Sequence, residues 1–481
     1  MKPARSTRAV LWALFASLVL TVFSCLAFPL IPLQSDSLDY WNFSLYLQNL
    51  VPSVSLFLPP GYPLLLAVAG KLAGPLAGPA LLVIQHVLRL APFALFFYMS
   101  RLWPGSLVPA VGAWLWTLFP ESYLFSHYLM SESLATALVA GVACSIIWMN
   151  GRPGPGRAVL VGMSSGFLAM TRPAGGILLL VALIPVASIR AGKRTATILA
   201  LALSFVLVLL PWGLHNRAKA GTWMPVNSMG RHLFNRAVAE DGLVAPGDSG
   251  MARLNRLIGF SPGAKPTYWW NYVSRLKGEG MTESEADRVF LGVALRAVLA
   301  HPVEYIRRTL KGMEEIVFWT NLPPPGASVY RRLENGLCVP ANAGEVRAWM
   351  AFRMPDLNSA VLLLAYAGGE WESGRLVPLF GCWTRVMVFS ANRFRIFAVL
   401  LVLGLALFLF RRRKGDNRGA GSGPDATGDI LVLAFLLSLF AHSAFEMPVP
   451  RYGLPFLQLV TFVWCLVPRM GRLVLAWWGS R

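Results

Sequence analysis

Charge is scarce in this chain. Of its 481 residues only 14% are Asp, Glu, Lys or Arg, while 56% are hydrophobic. A soluble protein of this length has no way to hide so much apolar surface, so lipid must cover part of it. Acids are the scarcer sign, 23 against 43 Lys and Arg, for a formal net charge of +20. That excess would suit a nucleic-acid binder, but the bases fall mainly in short segments beside hydrophobic runs, which excludes that reading. Cysteine is also low, and five residues are too few for a disulfide scaffold. Cys25, Cys144 and Cys465 lie inside apolar runs as small fillers, whereas Cys338 and Cys382 fall in the long polar region and are a candidate pair there. That region has no metal-ligand spacing, no Gly-x-Ser-x-Gly and no phosphate loop, so it is not an enzyme by itself. No internal repeat stands out at solenoid or transporter scale.

What the chain does have is long apolar runs. A span needs roughly 20 apolar residues, and candidates fall near 10–32, 79–100, 105–124, 133–150, 157–171, 174–189, 195–214, 391–410, 429–446 and 453–474. The first is longer than the apolar core of a signal peptide and no Ala-x-Ala site follows it, so it reads as a retained span. The expected fold is therefore an all-α polytopic membrane protein of about 10 transmembrane helices. Residues 1–216 form an N-terminal module of seven spans with a first loop at 33–78. Residues 217–388 form a mostly helical polar region, and 389–481 a C-terminal module of three spans with a linker at 411–428. Within the polar region, Thr282-Glu283-Ser284-Glu285 predicts an N-cap with a helix behind it, His301-Pro302 a break, and 303–320 a second, amphipathic helix at the interface.

Orientation follows from the basic residues. With the N-terminus cytoplasmic, alternation of spans collects Lys2, Arg5, Arg8, Arg101, Arg152, Arg157, Arg190, Lys193, Arg194, Arg411, Arg412, Arg413, Lys414, Arg418, Arg469, Arg472 and Arg481 on one side. The short loops opposite hold Lys71, Arg172 and Arg451. By the positive-inside rule the first loop and the 217–388 region then face the extracytoplasmic side.

The residues that could carry chemistry cluster on that side. Asp36 and Asp39 stand where the first span should emerge. Two carboxylates three residues apart share a helical face, where they can bind a cation, act as a general base or simply cap the helix that follows. That short helix is expected from Tyr40, Phe43, Leu47 and Leu50, at three- and four-residue spacing. Glu132, in Met130-Ser131-Glu132, is the next acid on that side. Asp36, Asp39 and Glu132, with His127, are candidate ligands of a divalent cation, and a helix N-terminus is the alternative reason for Glu132. Arg172, Arg217 and Arg451 sit at span ends, where arginines either hold a phosphate or snorkel to headgroups. Gln85, His86 and Arg89 lie inside the second span and can face one way, for function or for a polar contact between spans. His442 and Glu446 point toward Arg451, and a Glu446–Arg451 ion pair is the structural alternative there.

Read in order, Asp36-(x3)-Tyr40, Pro59-Pro60-Gly61-Tyr62-Pro63, Met130-Ser131-Glu132, Thr171-Arg172-Pro173, Leu210-Pro211-Trp212 with Asn216-Arg217, and Arg451-Tyr452 with Pro455 form a recognisable series. Together they resemble the GT-C membrane glycosyltransferases, in particular the bacterial relatives of protein mannosyltransferases and of the lipid A aminoarabinose transferase. The resemblance implies a transferase of the bacterial inner membrane that uses a polyprenyl-phosphate-linked sugar at the outer face, with inversion, to modify a glycan, lipid or protein acceptor of the envelope. It implies Asp36 as catalytic base with Asp39 as helper, and Tyr40 and Tyr62 as parts of the loop element. It further implies Glu132 as the second-loop acid, and Arg172, Arg217, Arg451, Tyr452 and His442 around the donor phosphate. Many relatives carry Asp-Glu where this chain has Asp36-Ser37, which leaves a metal role for Asp36 and Glu132 open. A polytopic lipid-glycan flippase or transporter, binding the same phosphate without chemistry, is the alternative.

Overall fold

The computed structural model describes residues 5–27, 31–32, 37–51, 58–104, 106–118, 120–187, 189–223, 228–260 and 270–318, with three short strands beyond them. The expected spans at 391–410, 429–446 and 453–474 and the 411–428 linker lie outside the described residues. Among the described residues four helical stretches are long and apolar enough to cross a membrane: Arg5–Cys25, Ala77–Leu102, Glu132–Gly151 and Ala191–Ala220. The first lies in helix α1, Arg5–Ala27. It turns Leu11, Trp12, Phe15, Leu18, Val19 and Val22 outward, an apolar surface that only lipid or other apolar groups can cover.

The segment between α1 and the second stretch is ordered by two shorter helices, α2 (Ser37–Leu47) and α3 (Gly61–Ala73). The expected α2 face is buried at Tyr40 and Phe43, but Leu50 is exposed because the helix stops at Leu47 and Asn49 turns to a φ of 59°. Helix α3 was not foreseen. Its Pro63 stands in the first turn, where the missing N–H costs no helical hydrogen bond. The second stretch is two helices, α4 (Ala77–Arg89) and α5 (Pro92–Leu102), because Pro92 interrupts the ladder.

Two further expected spans are also divided. The 105–124 run divides into α6 (Val108–Leu118) and α7 (Pro120–His127), with a proline opening the second. The 174–189 run, crossed by Pro173, Gly175, Gly176 and Pro185, is a 3₁₀ turn followed by the one-turn helices α10 (Leu178–Val181) and α11 (Leu183–Ala187). Between these lie α8 (Glu132–Gly151) and α9 (Pro155–Thr171), and after them the 30-residue α12 (Ala191–Ala220), about 45 Å long. Helix α9 packs along α12 through Gly162 and Gly166: a Cβ on Gly162 would run into Ser204 Oγ and the Leu201 carbonyl, and one on Gly166 into Val208. Small residues four apart are what allow two membrane helices to approach this closely.

After α12 the chain builds a separate core from α13 (Met229–Phe234), a π-helical turn at Asn235–Glu240, α14 (Ser249–Ile258), α15 (Trp270–Gly278) and α16 (Glu283–Ala300). Leu233, Phe234, Leu254, Leu276, Phe290 and Val293 are among its centre. Buried Arg231 spans Glu283 at 2.9 Å and Asp287 at 3.3 Å, tying α13 to α16. The expected N-cap is a full capping box between Thr282 and Glu285, and α17 (Pro302–Phe318) follows the break at Pro302. Among the described residues the departure from an all-helical chain is a small sheet, ordered β1-β3-β2-β4, from β1 (Ile31–Pro32), β2 (Tyr330–Arg332), β3 (Leu337–Pro340) and β4 (Glu370–Trp371). β1 pairs in parallel with β3, Ile31 opposite Leu337 and Pro32 opposite Cys338, so the exit of α1 meets the polar region. Cys382, the candidate partner of Cys338, lies outside the described residues.

Candidate functional site

The motif stretches are far apart in sequence and adjacent in space. Helix α2 brings Tyr40 to the start of α3, where its ring meets Tyr62 edge-on at 5.1 Å between centroids. The Tyr40 hydroxyl donates to Ser131 Oγ at 3.3 Å, beside Glu132 at the head of α8. Gly61 lies flush against the end of α9, since a Cβ there would stand 2.5 Å from Thr171 Oγ1 and 2.9 Å from the Met170 carbonyl. Phe43 packs against Trp212 of α12 at 5.5 Å, and Trp212 stacks on His215, whose Nε2 lies 3.2 Å from the Tyr46 hydroxyl. One apolar cluster, including Tyr40, Phe43, Tyr62, Leu66, Leu129, Met170 and Trp212, joins them.

At the edge of that cluster is a buried ion pair. Pro173 forces the residue before it out of helical geometry, and Arg172 is extended (φ −141°, ψ 103°), ending α9. Its Nη2 then donates to Glu132 Oε1 at 2.7 Å, with the two side chains only 8% and 2% exposed. Glu132 is the first residue of α8, where the helix dipole also favours an acid. Its carboxylate lies within electrostatic reach of the Tyr62 hydroxyl, which the Met130 backbone amide also faces.

A polar chain leads from this pair into the second apolar stretch. The Tyr62 hydroxyl donates to Gln85 Oε1 at 2.6 Å, and Gln85 Nε2 donates to the Ser126 carbonyl at 3.0 Å. One residue on, His86 meets His127 edge-on at 4.9 Å, and His127 Nε2 is 2.6 Å from Ser24 Oγ. One turn deeper, Arg89 is fully buried. Its Nη2 reaches Ser17 Oγ at 2.9 Å and Thr21 Oγ1 at 2.6 Å, and its guanidinium lies 3.7 Å over the Tyr123 ring. Gln85 thus belongs to the site, whereas Arg89 is a contact between helices. Sequence spacing put the three on one face without dividing them between these roles.

The other expected site residues are placed as follows. Asp39 is half-buried in the first turn of α2. Arg217 is exposed and donates to the Gly221 carbonyl at 2.8 Å, closing the C-terminus of its own helix, where a cation is favoured. Asp36, His442, Arg451 and Tyr452 lie outside the described residues. Ser131 was not assigned to the site from the sequence. Gln85 was singled out as a polar residue inside an apolar run, with function and a contact between spans both left open. Among the described residues no group of three or more His, Cys, Asp and Glu could hold a metal ion. Arg172 already holds one oxygen of the Glu132 carboxylate, Oε1.

No family model matches the chain. No curated protein sequence matches it significantly. Two solved structures overlap it, both of ArnT from Cupriavidus metallidurans. The form bound to undecaprenyl phosphate gives a TM-score of 0.38 and the apo form 0.35; each has 13% identity, covering 90% of this chain and 77% of the other. At that identity and overlap the likeness does not establish a shared family.

Proposed function

We propose that the chain is an integral-membrane glycosyltransferase of the GT-C type. It would transfer a sugar from a polyprenyl-phosphate donor to a glycan, lipid or protein acceptor at the extracytoplasmic face of a bacterial inner membrane. One observation carries the reading: five of the six stretches that give the family resemblance, scattered from Tyr40 to Trp212, meet in one cluster. Four helical stretches long and apolar enough to cross a bilayer contribute residues to it or pack against it.

In the proposed reaction Asp36, which directly precedes α2 in the chain, takes the proton of an acceptor hydroxyl, and Asp39 in the same first turn supports it. The acceptor oxygen bonds to the anomeric carbon as the bond from that carbon to the phosphate oxygen breaks. The polyprenyl phosphate leaves with the electron pair, and the configuration inverts. Arg451 with Tyr452 and His442, and Arg217, would meet the phosphate charge. Arg172, which also pairs with Glu132 through Nη2, would join them through the rest of its guanidinium. In its present pairing it and Glu132 lock the heads of α8 and the end of α9 together. No step depends on a metal, and a divalent cation at Asp36 and Glu132 is a separate proposal that chelator sensitivity would test.

Membranes carrying the protein should transfer radiolabelled sugar from a polyprenyl-phosphate donor to a new product. Asp36→Asn should reduce transfer to background while the extracted protein remains monodisperse. Full activity in that variant would overturn the assignment of the base. Label that crosses sealed vesicles without forming a new product would overturn the transferase reading in favour of a flippase.

A further inference from the structure

Between α16 and α17 the chain turns through 103°. Pro302 causes the turn, because it cannot continue the ladder of α16 and opens α17 at its first position. The corner is apolar and bare: Leu299 is 77% exposed and Val303 79%, with Leu295, Ile306 and Leu310 exposed on either side. On α17 the exposed side carries an apolar stripe beside Arg307 and Lys311. Tyr305, Thr309 and Gly312 turn inward, while Val303, Ile306 and Leu310, three and four residues apart, occupy the opposite side. Together the two helices are apolar enough to make a span, and the bend makes them a broken or re-entrant pair instead of a straight one.

Two observations bear on what lies against this corner. The first is position. Ser284 Oγ, in the first turn of α16, donates to the carbonyl of Ala220 at 2.8 Å, and Ala220 is the last residue of the membrane-length α12. Helix α16 therefore starts where a span ends. The second is charge. Arg307, 72% exposed at its side chain, and Lys311 flank the apolar stripe. The charge of Glu304 is answered within the helix by Arg307 and Arg308, each 2.6 Å away. Arg308 also stands 3.7 Å from Asp241. In sequence the acids Glu314 and Glu315 follow Lys311 and bound the apolar stretch.

We propose that this corner is a monotopic membrane anchor. Leu299 and Val303 enter the leaflet beside it deepest, Ile306 and Leu310 lie along the acyl boundary, and Arg307 and Lys311 meet lipid phosphates. The occupant is the bilayer itself, and the anchor fixes the 228–318 core against the membrane independently of what reaction the chain carries out.

The test uses the full chain with its native cysteines replaced, reconstituted in phosphatidylethanolamine–phosphatidylglycerol vesicles. A small fluorophore is attached at Leu299→Cys, Val303→Cys or, as control, Glu279→Cys in the exposed turn before α16. The first two labels should be quenched severalfold more by nitroxide lipid than by aqueous iodide, and the control should show the reverse. Iodide quenching at all three positions would put the corner in water and overturn the anchor. Protection of the first two from both quenchers would overturn it too, since protein, a second copy or another part of this chain, would then cover the face. All three substitutions fall on exposed side chains, so loss of the fold does not confuse the outcome.

Discussion

At the scale of single residues, Glu132 and Arg172 show how far composition and context reach. Both stand out in the sequence as rare charges at the ends of apolar runs, and each has its own plausible task. Their pairing across 40 residues was not legible, because it depends on Pro173 turning Arg172 out of α9 and on where α8 begins. A buried pair of this kind adds little over an apolar pair of equal volume, but removing one partner strands a charge at a cost of roughly 3–5 kcal/mol. Glu132→Gln and Arg172→Met should each lower the thermal unfolding midpoint of the detergent-solubilised protein sharply. The double variant should lose distinctly less than the sum of the two. Strict additivity would mean that the pair is not energetically coupled.

Among elements, the sequence was most informative where local chemistry decides the outcome. Thr282 and Glu285 close the capping box their spacing implies, and His301-Pro302 separates two helices at the expected place. It was least informative where apolar runs contain helix breakers. Hydropathy cannot distinguish one span from α6 followed by α7, or from the 3₁₀ turn with α10 and α11, because α6 and the 173–187 pieces are apolar like a span and only their breakers divide them. Close helix packing is legible only in hindsight, as the small-residue spacing of Gly162 and Gly166. There the prediction is steric. Gly162→Val forces side-chain atoms into the Leu201 carbonyl and Ser204 and should destabilise the protein by at least about 1–3 kcal/mol. Gly156→Val, on the same helix with nothing within 4 Å, should stay within about 0.5 kcal/mol of the parent. Equal midpoints for the two variants would rule out the close α9–α12 contact.

On the scale of the whole molecule, the described helices have two chemically different ends. The head of α8, the tail of α9 and the last turns of α12 all meet at the cluster of Tyr62, Glu132, Arg172 and Trp212. The other ends of the same three helices carry Arg152, Arg157, Arg190, Lys193 and Arg194, of which Arg152, Arg190, Lys193 and Arg194 are exposed. The start of α1 belongs with the end of α5, since Thr7 Oγ1 and Ser100 Oγ lie 3.0 Å apart, which brings Arg5 and Arg8 near Arg101. Its far end reaches His127 through Ser24. Short basic loops are retained in the cytoplasm, so a molecule built this way should present the aromatic and acidic cluster to the opposite side. An impermeant maleimide should then label Glu279→Cys, in the unit that follows α12, on intact cells. It should label Gly156→Cys, in the basic loop region at the start of α9, only after the membrane is opened. The parent chain, with Cys25 and Cys144 half-buried, sets the background. Labelling of Gly156→Cys from outside would invert the orientation, leaving the helix packing intact but moving the proposed reaction to the wrong face for an extracytoplasmic acceptor.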